Sequence, residues 1–107
     1  MENIYFSKIF KVKEGKLDIL KDWLIALNTT RKDEALATFA HEGVTRETFS
    51  IFKGLDNEYY CIAINLSLDT PGLSDKSVPI NQEHTLKKKE CLLPFSENGE
   101  VFMDLKL

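Results

Sequence analysis

The chain has 107 residues, the usual length of one domain, and we expect a single domain over residues 1–107. Hydrophobic residues make up 43% of it and charged residues 29%, which is typical of proteins that fold around their own core without disulfides or metals. The 17 acidic and 14 basic residues leave a net charge of −3, which disfavours nucleic acid as a partner.

Residues 1–6 contain no basic leader, and no stretch approaches the roughly 18 consecutive apolar residues that a membrane span needs. Cys61 and Cys91 lack the paired spacing of disulfide or zinc motifs, which favours reduced, structural thiols. No phosphate loop or catalytic triad signature is present, so we expect no cofactor. We therefore expect a cytoplasmic protein that contacts no membrane.

The first half of the chain predicts a strand followed by a long helix. Residues 3–12 are apolar on both strand faces. Leucines at spacings of three and four, from Leu17 to Leu27, predict an amphipathic helix. Asn28, Thr29 and Thr30 favour a kink, after which the helix resumes over residues 31–42 and ends at Gly43.

The second half predicts a hairpin, a short helix and a last strand. Residues 44–53 and 59–68 are rich in β-branched and aromatic residues, with turn residues between them. A helix over about residues 80–93 is expected, with Ser77 or Asn81 as its N-cap and Pro94 as its end. Residues 100–107 predict the fourth strand.

This βαββαβ order predicts a ferredoxin-like α+β fold, with a four-stranded antiparallel sheet of order 4-1-3-2 and both helices on one face. Because the first and third strands are apolar on both faces, the uncovered face would expose a large hydrophobic patch. We expect a two-fold homodimer with the sheets packed face to face, as in a dimeric α+β barrel. The alternative is an aromatic-rich face that stays partly exposed.

About a third of the chain, from the first helix to the second strand, carries a distinctive set of residues: Trp23, Leu27, Asn28, Arg31, residues 34–44 and Glu47. With these residues the chain resembles a family of small uncharacterised bacterial proteins and, more loosely, the dimeric α+β barrel superfamily. The family has no established activity. The superfamily resemblance implies a pocket between helices and sheet, used in some members for cofactor-independent oxygenation, isomerisation or haem chemistry, but it implies no particular catalytic residue here.

Arg31, Glu34, Thr38 and Glu42 form a polar stripe on the predicted helix. Glu42 lies in the last turn, where the helix dipole disfavours an acid, so it should have a compensating partner. Arg46 on the next strand is a nearer candidate than Arg31. The stripe is either a surface ion-pair network or the charged wall of a pocket mouth.

Glu47 shares a predicted strand face with Phe49 and Ile51, where a carboxylate is costly unless it is paired. Two interpretations stay open: a ligand-facing acid with a raised pKa, or an inward-pointing charge that protects an edge strand from aggregation. His84 lies on a helical stripe with Ile80 and Cys91, and is either a satisfied core histidine or a group that acts on a ligand.

Three further features favour ordinary structural roles. Trp23 belongs to the apolar helical stripe and either anchors the core or lines a cavity. His41 and Glu42 lack the H-E-x-x-H spacing of a zinc helix, so we expect no metal site. The three lysines at 87–89 spread around a helix and predict a solvated face.

These patterns lead to one functional hypothesis and one rival. The hypothesis is a homodimer that binds a small, partly apolar molecule in a helix–sheet cleft through Glu47, His84, Trp23, Arg31 and Glu42. If such a protein is an enzyme, proton abstraction of the cofactor-independent monooxygenase or isomerase type is the chemistry that its residues support. The rival is a non-catalytic protein-interaction module.

Overall fold

A computed structural model describes residues 2–68 and 71–107 of the chain. The described residues form an α+β structure with one four-stranded antiparallel sheet and three helices. The elements, in chain order, are β1 (Asn3–Val12), α1 (Leu17–Asn28), α2 (Lys32–Glu42), β2 (Val44–Lys53), β3 (Tyr59–Ser67), α3 (Pro79–Cys91) and β4 (Leu92–Pro94).

The sheet order is β2-β3-β1-β4, with β3 and β1 in the centre. Read from β4, this is the predicted succession 4-1-3-2, but the fourth strand is made of different residues. It is the three-residue strand β4, and the prediction of a strand over residues 100–107 is wrong. Because so short a strand completes this edge, the arrangement is not clearly ferredoxin-like.

The irregular segment that follows β4 explains why residues 100–107 form no strand. The Phe95 N–H donates to the carbonyl of Ile9 at 3.1 Å, and the Gly99 N–H donates to the carbonyl of Ser7 at 2.7 Å. The N–H of Ser7 in turn donates to Oδ1 of Asn98 at 2.8 Å. Residues 95–99 thus take up the edge of β1, so the backbone groups that a later strand would need are already paired.

The helices differ from the prediction mainly at their ends. The expected kink is a complete break: α1 ends at Asn28, and α2 starts at Lys32 with Arg31 as its N-cap. Gly43 ends α2 in the left-handed conformation at φ 71°, which confirms the prediction. The capping prediction for α3 is wrong, because Val78 is its N-cap and no side chain caps it.

One face of the sheet carries the core and the helices. One packed cluster of buried side chains comes from both central strands, two helices and β4, and its members are Val12, Leu20, Cys61, Cys91 and Leu92. Phe10, Leu24, Phe49 and Ile51 pack around them. Removing these apolar groups from water is the main force that holds the helices to the sheet.

The other face of the sheet, here called the open face, is also apolar, as the sequence predicts. By strand register, Ile9 lies beside Ile62 and Phe52 lies beside Tyr60 on this face. Ile9 is 38% exposed and Phe52 is 51% exposed. In the described part of the chain the helices lie on the opposite face, and Phe95 packs edge-on against Tyr60, at 5.2 Å between ring centroids.

Candidate functional site

A cavity of about 300 Å³ lies between the three helices and the sheet. Its apolar lining includes four phenylalanines, Phe6, Phe10, Phe39 and Phe49, together with Leu27 and Ile80. Its polar lining includes Tyr5, Thr38, Glu42, Glu47, Asn65, Asn81, His84 and Lys88. A mostly apolar wall with a few converging polar groups is typical of small-molecule sites, and the volume is at the lower end of their roughly 300–1,000 Å³ range.

Glu47 reaches this cavity because β2 alternates, placing its side chain on the helix-facing side with Phe49, as the sequence predicts. Only 24% of the side chain is exposed. Burial raises the pKa of this carboxyl, while the nearby ammonium of Lys88 and a hydrogen bond from Asn65 act in the opposite direction. Glu47 is therefore an acid that holds its proton to a higher pH than a solvated glutamate.

His84 lies against Glu47 as a neutral imidazole. The indole N–H of Trp23 donates to its Nδ1 at 2.9 Å, so Nδ1 is the unprotonated nitrogen and the ring proton lies on Nε2. Burial, with a contribution from Lys88, lowers the pKa of His84 to about 4. Its Nε2 is 3.8 Å from Oε1 of Glu47, which is too long for a hydrogen bond and leaves this N–H directed at the carboxyl across a gap.

Trp23 and Phe49 hold the imidazole in place. The Trp23 and His84 rings stack with centroids 6.1 Å apart, and the Phe49 ring meets His84 edge-on at 5.5 Å. Trp23 is buried, as its place in the apolar helical stripe predicts, and it does not itself line the cavity. Its role is to position His84.

Glu42 lines the same cavity from the end of α2. Burial raises the pKa of its carboxyl, and this is partly offset by the charges of His41 and Lys88 and a hydrogen bond from Asn81. Arg46, the partner proposed from the sequence, alternates onto the open face and does not take part. The pocket-wall interpretation of Glu42 therefore fits its position.

Arg31 lies outside the cavity lining and joins two helices. Its guanidinium donates to both carboxylate oxygens of Glu34, at 2.7 and 2.9 Å, and to Glu83 on α3 at 2.6 Å. It also lies over the Trp23 ring, 5.9 Å from the centroid. The ion-pair interpretation of this part of the polar stripe is the one that its geometry supports.

Sequence reasoning missed two polar residues of the cavity. The interpretation of lysines 87–89 as a solvated face is wrong for Lys88, which lines the cavity and acts on Glu47, Glu42 and His84. The signal was present, because Lys88 follows His84 by four residues and so shares its helix face.

The second missed residue is Asn65, which lies directly opposite Glu47 in the strand register. Its amide nitrogen donates to the hydroxyl of Tyr5 at 3.3 Å, but its buried Oδ1 has no partner among the described residues. Leaving a buried acceptor unpaired costs about 1–3 kcal/mol, so Asn65 carries an unpaired hydrogen-bonding atom that is buried beside the cavity.

Two kinds of feature are absent from the described residues. Among residues 2–68 and 71–107, no group of three or more His, Cys, Asp or Glu side chains is arranged to hold a metal ion. Over the same residues, none of the helices combines the length and apolar content needed to cross a membrane.

Comparison with known proteins extends the resemblance seen in residues 23–47. The model of a family of unknown function, DUF6176, matches residues 6–107. The chain belongs to this family. No curated protein and no solved structure matched the chain. Because DUF6176 has no known function, the functional inference rests on the geometry of the cavity.

Proposed function

We propose that this DUF6176 protein binds a small, partly apolar organic molecule in the cavity, with Glu47 and His84 as its main polar contacts. The observation that carries the proposal is the pairing of a buried carboxyl with a neutral imidazole at the wall of a 300 Å³ cavity lined by phenylalanines. Apolar walls supply affinity by burying the ligand, and a few fixed polar groups orient it.

The chemistry that this pair supports is proton transfer. Burial raises the pKa of Glu47, the direction that suits a carboxyl acting as a general acid or base, and the Nε2–H of His84 can donate to an oxygen of the ligand. Proton abstraction from a carbon next to a carbonyl would use both groups, as in cofactor-independent isomerisation or oxygenation. Such an activity is the finer form of the proposal.

A fluorescent probe tests the binding proposal. We expect the neutral dye N-phenyl-1-naphthylamine to bind saturably, with one dye per chain. Replacing Thr85, an exposed residue at the cavity wall, with Trp should weaken this binding about tenfold because the indole fills the entrance. Leu86, the next residue along the helix, is 65% exposed, and the matched change Leu86→Trp should leave the affinity for the dye unchanged. Absence of saturable binding to the wild type would overturn the proposal.

A homodimer of ferredoxin-like subunits in the cytoplasm completes the proposal. Its support is the open face, together with the tail formed by residues 100–107, in which Phe102 is 90% exposed and Leu105 is 84% exposed. Native mass spectrometry should find a dimer. Ile9→Lys on the open face should shift it to a monomer, whereas Leu55→Lys in the exposed hairpin turn should not.

The same exposed tail favours the rival function, a protein-interaction module. In that case the open face or the tail would bind a different protein, and the cavity would be incidental. A monomer that binds no dye would favour this rival.

A further inference from the structure

Two carboxyl groups, on Glu42 and Glu47, are the acidic acceptors of the cavity lining. Phe6, Asn65 and Glu47 form a row across three neighbouring strands, since Phe6 pairs with Asn65 and Asn65 pairs with Glu47. Side chains in such a row are neighbours on one face of the sheet. The row presents the carboxyl of Glu47 to the cavity, whereas Oδ1 of Asn65 is buried.

The donors in this row are already engaged. The Asn65 amide nitrogen donates to Tyr5, and the Asn65 side chain also hydrogen-bonds to Glu47. What stays unsatisfied is an acceptor, the buried Oδ1 atom, for which the described residues provide no donor.

The formal charges in the cavity point the same way. Its lining contains two carboxyl groups, on Glu42 and Glu47, and one ammonium group, on Lys88. His84 contributes no charge near neutral pH, because its ring is neutral. Burial raises the pKa of both carboxyls, and a bound cation would favour their ionised forms. With both ionised, the described lining is one positive charge short of balance.

We propose that the ligand is a small organic amine, bound as its ammonium ion by the carboxyls of Glu47 and Glu42, with its apolar body against Phe10, Phe39 and Phe49. This inference deepens the proposed function and rests on it. An ammonium group has several N–H donors, so it can serve both acceptors at once, whereas a hydroxyl group has one. A carboxylate or phosphate would add negative charge beside two carboxyls.

The experiment compares three probes of similar size: 2-phenylethylamine, 2-phenylethanol and 3-phenylpropanoate. Dissociation constants are measured by titration calorimetry at pH 7 on the full chain. We expect the amine to bind about tenfold or more tightly than the alcohol, and the carboxylate to bind no more tightly than the alcohol. Equal affinities for the amine and the alcohol would overturn the inference.

Two conservative variants locate the ammonium site. Glu47→Gln should weaken binding of the amine about tenfold while changing binding of the alcohol less than about threefold, since the apolar walls are kept. Glu58→Gln, an exposed acid at the hairpin end and outside the cavity lining, is the matched control and should change neither. Full amine preference in Glu47→Gln would also overturn the inference. Circular dichroism checks that each variant folds.

The outcomes separate the two proposals. If the alcohol binds saturably without any preference for the amine, the cavity is a ligand site and only the amine inference fails. If none of the three probes binds and the neutral dye does not bind either, the proposed function fails and the amine inference fails with it.

Discussion

The two ends of the helix-covered sheet face differ in what fills them, although the same strands form both. At the packed end, Val12, Leu20, Cys61, Cys91 and Leu92 are almost fully buried. At the cavity end, four residue pairs further along β2 and β3 from Cys61, the strands hold Asn65 and Glu47, and the cavity lies between them and the helices. The packed end contributes most to stability, and the cavity end holds the groups that can bind a ligand or transfer a proton.

The break between α1 and α2 helps to explain the difference. Apolar residues of α1 fill the packed end, whereas α2 has no buried residue and leaves room above the sheet. An apolar interior requires close packing for stability, so a cavity that holds two carboxyl groups lowers stability unless a ligand compensates for it.

The largest expected effect is at the packed end. Leu20 is 1% exposed, and Leu20→Ala should reduce the free energy of unfolding by about 3 kcal/mol, through lost burial and the void left behind. Urea denaturation measures the change. Leu36→Ala, at a 47% exposed position of α2, is the control and should cost less than about 1 kcal/mol. Equal losses would mean that the two ends are packed alike.

The next effect is a pH dependence that arises at the cavity end. The pKa of His84 is about 4 in the folded protein, against 6.5 when unperturbed, so the unfolded chain binds a proton first as the pH falls. Its contribution to stability is complete above pH 6.5 and is lost between there and pH 4, by at most about 3 kcal/mol.

The check on His84 is a comparison with His84→Gln, in which this part of the pH dependence should be absent. Nitrogen-15 NMR of the wild type should show the proton on Nε2 at pH 7, because Nδ1 accepts from Trp23. A protonated imidazole at pH 6 would contradict the buried, neutral assignment.

The smallest expected effect comes from Glu47, and its contribution to stability changes with pH in the opposite direction to that of His84. Its folded pKa is raised, so the folded state retains the proton longer, and its contribution to stability decreases as the pH rises from about 4.5 through the folded pKa. Glu47→Gln should therefore be at least as stable as the wild type at pH 7. Urea unfolding at pH 4 and pH 7 measures this, and a Gln variant that is clearly less stable at pH 7 would show that Glu47 is a well-paired anion.

Several parts of the fold followed from sequence patterns. The hairpin strands are where their β-branched and aromatic residues predict them, and Gly43 ends a helix as expected. The inward position of Glu47 and the burial of His84 also followed from periods of two and 3.6 residues. These features depend on local backbone geometry and on which side chains avoid water.

Other features depended on long-range pairing. The sequence predicts a strand over residues 100–107, yet residues 95–99 occupy the edge of β1 through hydrogen bonds that the local residue pattern does not predict. Lys88 and Asn65 were not predicted as cavity residues, because whether a polar residue of an amphipathic element lines a cavity depends on which other elements pack against it.

Residue periodicity alone predicts an α+β chain with one apolar sheet, a kinked amphipathic helix in its first half, and a carboxyl and an imidazole on core-facing sides. Three further features depend on tertiary contacts: Trp23 selects the Nε2–H tautomer of His84, Glu47 lies beside this imidazole, and Asn65 keeps an unpaired acceptor. The physical reason is that a cavity and its charge balance arise from elements distant in sequence, whose spacing depends on how the helices diverge over the sheet.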